Sequence, residues 1–167
     1  MVRMLAIGLG LMILVAATGA RAQNATATLE PTKGNNAKGT INVMTMGSGV
    51  HFSGTVTGLP AGKHGFHVHE TGDCSAPDAA SAGGHFNPDK KAHGAPDAPE
   101  HHAGDLGNIE ADASGTAKVN IMVNGLTLGS GANSVAGKAI IVHAAPDDFK
   151  TQPTGNAGAR IACGVIK

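Results

Sequence analysis

Residues 64–105 read HGFHVHETGDCSAPDAASAGGHFNPDKKAHGAPDAPEHHAGD and carry seven of the nine histidines. Two patterns lie inside this stretch. His67-Val68-His69 is an i, i+2 pair. On a β-strand both imidazoles project from one face and Val68 from the other. After it come single histidines at wide spacing, His85, His93 and His101 or His102, and then Asp105. The glycines and prolines between them rule out a helix and break any long strand. A loop this long is uncommon unless function or a cross-link orders it. Histidine is the commonest neutral metal ligand, and a metal held by several of these groups would order the loop. The alternative is a flexible loop that happens to hold histidines. The aligned pair and Cys74 speak against it.

Working outward from that loop, the flanking segments read as short strands. Residues 25–29, 39–46, 49–59 and 65–70 precede it; residues 106–111, 116–123, 138–143 and 160–166 follow it. Residues 40–46, TINVMTM, alternate apolar and polar, and turn signals stand at 34–36, 60–62 and 112–115. No long amphipathic helix is present in the pattern. The expected class is all-β, an eight-stranded Greek-key barrel or sandwich with two long functional loops. The chain has no Trp or Tyr and only four Phe. Its core must therefore come from Val, Ile, Leu, Met and Ala.

The first 22 residues have a basic start at Arg3, an apolar run over 4–17 and an Ala20-Arg21-Ala22 exit. This is the pattern of a secretory signal, too short for a comfortable membrane span. The expectation is one mature domain over 23–167, exported to the periplasm or the extracellular space, with no membrane association after cleavage. Without Arg3 and Arg21, 10 basic residues face 12 acidic ones, a net charge of −2. That balance excludes nucleic acid as an expected partner, because phosphate binding needs a basic face. Two cysteines in an exported chain point to one disulfide, Cys74–Cys163, against the alternative of two free thiols.

On residues alone, one carboxylate among several histidines supports a mononuclear or binuclear zinc or copper site. A closed N/N/N/O tetrahedron suits Zn²⁺, and a flattened all-imidazole site with an open position suits Cu²⁺. His143 ends an apolar strand and, taken alone, is as much structural as ligating.

Four motifs then make the reading specific. GFHVHE at 65–70, AGGHFNP at 82–88, HAGDLGN at 102–108 and GNAGARIACGVI at 155–166 resemble the copper,zinc superoxide dismutase family, and its exported bacterial branch in particular. The resemblance implies dismutation of superoxide anion to O₂ and hydrogen peroxide, at a copper site bridged by histidine to zinc. It implies His67, His69, His85 and His143 as copper ligands, with His85 as the bridge. It implies His85, His93, His102 and Asp105 as zinc ligands. Arg160 matches the arginine at the copper mouth, and with His85 forms the expected catalytic pair. Asp147 matches an aspartate that links a copper ligand to a zinc ligand. Cys74 and Cys163 match the family disulfide. The branch includes monomers and dimers, so a homodimer is compatible with it.

The remaining histidines are expected to bind no metal. His101 should be solvated, because the H-x-x-D spacing to Asp105 selects His102. His51 should lie at the surface, and His64 should be buried and hydrogen-bonded. Two competing readings use the same ligands, an exported copper and zinc buffer and a structural zinc domain. The first would not need Arg160 or a bridging His85, and the second would tolerate loss of His67 or His69. The segment 144–159 is short and offers only Asp147, Asp148 and Lys150 as charged groups, so guidance of an anion falls mainly on Arg160.

Overall fold

The computed structural model describes residues 23–167. The expected signal segment, 1–22, lies outside the described residues. Eight strands form: β1 (Asn24–Pro31), β2 (Lys38–Met46), β3 (Gly49–Thr57), β4 (Gly62–His69), β5 (Asp105–Ala111), β6 (Ala117–Asn124), β7 (Ala139–His143) and β8 (Arg160–Val165). They close into one antiparallel barrel in the order β1-β2-β3-β6-β5-β4-β7-β8. The links β3 to β4 and β6 to β7 cross over two strands each, which is Greek-key connectivity.

All eight expected strands are present, with ends shifted by a few residues. The largest shift is at β4, which begins at Gly62 rather than at 65. Gly62, Lys63 and His64 extend the ladder against Ala111, Glu110 and Ile109. The long loop after β4 is coil except for one 3-10 turn at Ala80–Ala82.

The alternation read from the sequence decides what faces inward. On β2, Ile41 and Val43 are buried while Asn42 and Met44 are exposed. Ile41, Val43, Val50, Phe52, Phe66, Val68, Ile140 and Val142 meet in the barrel interior. Fully burying a side chain of this kind contributes about 1.5–3 kcal/mol. Because Phe66 and Val68 point inward, His67 and His69 stand on the outside of β4. Both are nonetheless 0% exposed, because the loops following β4 and β7 cover that wall. A second, smaller apolar cluster of Ala79, Ala82, Ala139, Ile141 and Cys163 holds the first loop down. The Cys74–Cys163 disulfide, with Cα atoms 5.8 Å apart, ties the same loop to β8.

Candidate metal centre

Strand register assembles most of the site. His67 lies directly opposite Asp105 across β4 and β5. His143 lies opposite Arg160 across β7 and β8. An isolated bridge sets His69 against His85. The loop then brings in His93 and His102, which are 4% and 5% exposed.

Two groups of four result, and both are buried. His67, His69, His85 and His143 form one; His85, His93, His102 and Asp105 form the other. In each, one ligand atom per residue lies within 4.8 Å of all the others. His85 belongs to both. Its Nδ1 sits 2.7 Å from Asp105 Oδ1 and 3.4 Å from His102 Nδ1. His93 Nδ1 lies 3.1 Å from Asp105 Oδ2.

The second nitrogen of each ring fixes its orientation. His69 Nδ1–H donates to the Gly83 carbonyl (2.9 Å), and His143 Nδ1–H donates to the Gly158 carbonyl (3.2 Å). Carbonyl oxygens only accept, so these bonds set the tautomer and leave Nε2 as a bare lone pair. Asp147 takes His67 Nε2 at 2.8 Å on one oxygen and His93 Nε2 at 2.9 Å on the other. One carboxylate thereby joins the two groups. Asp147 is itself pinned by Asn108, whose amide oxygen accepts from Asp147 N (2.8 Å) and whose amide NH₂ donates to Asp147 O (3.0 Å). Gln152 brackets the backbone of His93, accepting from its N–H (2.8 Å) and donating to its carbonyl (2.9 Å).

Burial governs the protonation states. It pulls the His69 imidazole down to about 2 and the His143 imidazole to about 3, with His85 and Arg160 adding to the effect. Both rings are neutral near pH 7. Burial also lowers His67 and His102, against the pull of Asp147 and Asp105 respectively. At His93 burial acts downward too, but Asp105 and Asp147 outweigh it and raise the imidazole to about 9. Burial would raise both carboxyls, but the histidines bonded to them prevail. His85 and His93 hold Asp105, and His67 and His93 hold Asp147, well below the usual carboxylate range.

A family model described as copper/zinc superoxide dismutase matches residues 37–166. The chain is 46% identical over 134 residues to an extracellular superoxide dismutase [Cu-Zn] of Caenorhabditis elegans, covering 77% of this chain and 60% of that protein. It is 47% identical over 139 residues to superoxide dismutase [Cu-Zn] 2 of Mesembryanthemum crystallinum, covering 79% of this chain and 88% of that protein.

The chain belongs to the copper/zinc superoxide dismutase family. Membership makes it an oxidoreductase of the superoxide dismutase class, with copper and zinc as cofactors. The donor atoms fit that pair of metals. Among the described residues, five histidine ring nitrogens are buried with no hydrogen-bond partner: His67 Nδ1, His69 Nε2, His85 Nε2 and His143 Nε2, and in the second group His93 Nδ1. A polar atom buried in that state costs about 1–3 kcal/mol. The first four are the all-imidazole group, one from each ring, so their lone pairs are available to a metal of the imidazole-binding kind. The second group offers three imidazoles and one carboxylate, the donor set of a closed zinc site.

The superoxide dismutase scaffold also places the remaining expected residues. Arg160 is half-buried, and its two terminal nitrogens donate to the carbonyls of Ala79 and Gly83, each at 2.6 Å. Ala79 adopts a left-handed φ of 57° at the start of the 3-10 turn. His64 is 2% exposed with both ring nitrogens on carbonyl oxygens, those of His143 (2.8 Å) and Pro60 (2.9 Å). His101 is half-exposed and donates to the His102 carbonyl at 2.7 Å. Sequence reasoning missed Asn108, Gln152, Gly83 and Gly158. Asn108 stands inside a quoted motif and could have been found there. The carbonyls of Gly83 and Gly158 are backbone groups that no residue type announces.

Proposed function

We propose that this chain converts two superoxide anions and two protons into O₂ and hydrogen peroxide, with the following division of labour. His67, His69, His85 and His143 hold copper. His85, His93, His102 and Asp105 hold zinc. When bound, copper supplies a one-electron couple that alternates between oxidising and reducing superoxide, while zinc supplies a fixed charge without redox change. The observation that carries this reading is the four buried, unpartnered ring nitrogens in a group that shares His85 with the carboxylate-bearing group.

The protein's own contributions follow from its geometry. His85 presents Nε2 to one group and Nδ1 to the other. A ring that serves both sides must give up both N–H protons. Its Nε2 is thus the atom able to hold a proton and return it to the reduced substrate. His69 and His143 stay neutral and correctly turned because backbone carbonyls take their Nδ1–H groups. Asp147 orients His67 and His93 together. Arg160 presents a fixed positive charge at the rim, held by two carbonyls of the loop. A small anion is drawn to such a charge. This last feature favours an enzyme over a metal buffer, which needs no rim cation.

We also propose that residues 1–22 are an export signal and that 23–167 act as one exported domain, in the periplasm of a bacterium in particular. The Cys74–Cys163 disulfide supports export, since such bonds persist in oxidising compartments. The name of the nematode relative points the same way.

The test is superoxide removal by purified mature protein, measured beside its copper and zinc content. Activity that rises in step with copper occupancy supports the proposal. Full occupancy without activity would leave the metal buffer as the better reading.

A further inference from the structure

Three methionines and one histidine lie outside everything described above. The chain has six methionines, and Met1, Met4 and Met12 precede the described residues. The other three are Met44, Met46 and Met122, exposed at 37%, 49% and 45%. Methionine ordinarily fills irregular gaps in cores. Here none of the described methionines is used that way, and all three fall in one patch.

The register shows how close they are. Met44 on β2 lies opposite His51 on β3, and His51 lies opposite Met122 on β6. Directly opposed residues have Cβ atoms about 4.5–5.5 Å apart. The imidazole is therefore flanked by a thioether on each side. Met46 follows on the same face of β2, two residues beyond Met44. Neighbouring outward positions on these strands are Thr40, Asn42, Ser53, Thr55, Lys118 and Asn120, so the methionines are not part of a general apolar surface. His51 Nε2–H donates to Asn120 Oδ1 at 2.7 Å. That bond orients the ring and leaves Nδ1 as a lone pair, in the manner of a ligand histidine held by its other nitrogen.

The donor chemistry selects the ligand. Thioethers are soft and uncharged, and together with imidazole they suit a soft monovalent cation, Cu(I) above all. β2, β3 and β6 contain no Asp, Glu or Cys, so nothing in the patch recruits calcium or magnesium, which need oxygen ligands. We propose that Met44, His51 and Met122, with Met46 alongside, bind one Cu(I) ion on the outer wall of the barrel. In the closed strand order β3 stands across the barrel from β7, so this site is separate from the buried centre. It does not depend on the roles proposed there.

The experiment uses mature protein already loaded with copper and zinc, titrated with Ag(I) as a redox-silent stand-in for Cu(I). No reductant is then needed, and the disulfide stays intact. Metal analysis after titration verifies that the buried copper and zinc are retained. The expected result is one Ag(I) per chain, with the methyl resonances of Met44 and Met122 shifted in carbon-13 NMR. The double variant Met44→Leu/Met122→Leu should weaken binding at least about tenfold, with superoxide removal unchanged. His51→Gln should weaken it too and serves if the double variant folds poorly. Three outcomes would overturn the proposal: no silver bound beyond the buried centre, equal binding by the variants, or a dimer that buries this face and excludes silver.

Discussion

The Nδ1–H of His69 and a terminal N–H of Arg160 meet on one acceptor, the carbonyl oxygen of Gly83, at 2.9 and 2.6 Å. A proposed copper ligand and the rim cation are thus indexed to the same backbone atom. Lysine at 160 keeps the charge but cannot span both the Ala79 and Gly83 carbonyls as a planar fork does. Arg160→Lys should lower the rate only a few-fold. Arg160→Glu should lower it at least about tenfold, by opposing anion approach, with both metals still bound. Rates measured against ionic strength provide the check. The wild-type rate should fall as salt rises, and in the Glu variant the slope should flatten or reverse.

Asp147→Asn isolates the link between the two groups. An amide has one accepting oxygen, so it cannot serve both His67 Nε2 and His93 Nε2 as the carboxylate does. One of the two rings loses its orienting acceptor. Changes of this kind lower metal affinity by about 10–100-fold. Chelator competition for zinc should register that loss, and an unchanged affinity would mean that Asp147 is not an orienting group.

Gly155→Ala reaches the same carboxylate from the backbone. Gly155 has φ +66°, and an added Cβ would fall against Asp147 Oδ1 and His93 Nε2. Gly34→Ala is the control, since Gly34 has φ +81° but open space around the same atom. The control should lose about 1 kcal/mol through backbone strain. Gly155→Ala should lose more and should also weaken zinc. Equal melting temperatures for the two variants would contradict the contact argument.

The barrel was legible in the sequence because strands such as β2 bury every second residue over 40–44 and because Gly, Pro and Asn mark the turns, although β7, AIIVH, is buried throughout and shows no alternation. Part of the buried cluster was legible because the His67–His69 pair at i, i+2 and the H-x-x-D spacing of His102 and Asp105 are local patterns, while the assignment of His85, His93 and His143 came only from the family resemblance. What was not legible depends on register between strands distant in sequence. That His67 faces Asp105, or that Met44 and Met122 flank His51, follows from pairing that no single segment encodes. The carbonyls of Gly83 and Gly158 escaped for a different reason, since every residue has one.

Cys74→Ser tests the tether. The disulfide joins the loop that supplies the two carbonyls to the strand that begins with Arg160. Its loss should cost about 2–5 kcal/mol in stability and lower activity beyond what metal content explains. Two free thiols in the active protein, found by mass spectrometry, would remove the basis for this expectation.

Metal-free protein should show opposite trends on the two sides of neutrality. Raised to about 9 in the folded state, His93 contributes stability below its unfolded value near 6.5. That contribution is lost as pH rises through about 9. Asp105 and Asp147 are depressed, so theirs is present above about pH 4 and is lost as pH falls further. Melting temperature should therefore decline between pH 7 and 10, by several degrees, while zinc affinity climbs as His93 gives up its proton. A flat alkaline limb would show that His93 does not hold a proton in the metal-free state.

Thr26 and Lys167, 141 positions apart, exchange reciprocal backbone hydrogen bonds, Thr26 N to Lys167 O at 2.8 Å and Lys167 N to Thr26 O at 2.9 Å. With the pairs Glu30–Cys163 and Pro31–Ala162, these bonds form the β1–β8 seam that closes the ring of strands. His143, Asp147, Arg160 and Cys163 also sit in the final stretch of the sequence. The β1–β2–β3 meander needs only residues 24–57, whereas the closed ring needs β8 and the all-imidazole group needs His143. Closure of the ring and placement of Arg160 thus rest on one and the same strand, β8, so a cut ahead of it opens the seam and removes the rim cation together.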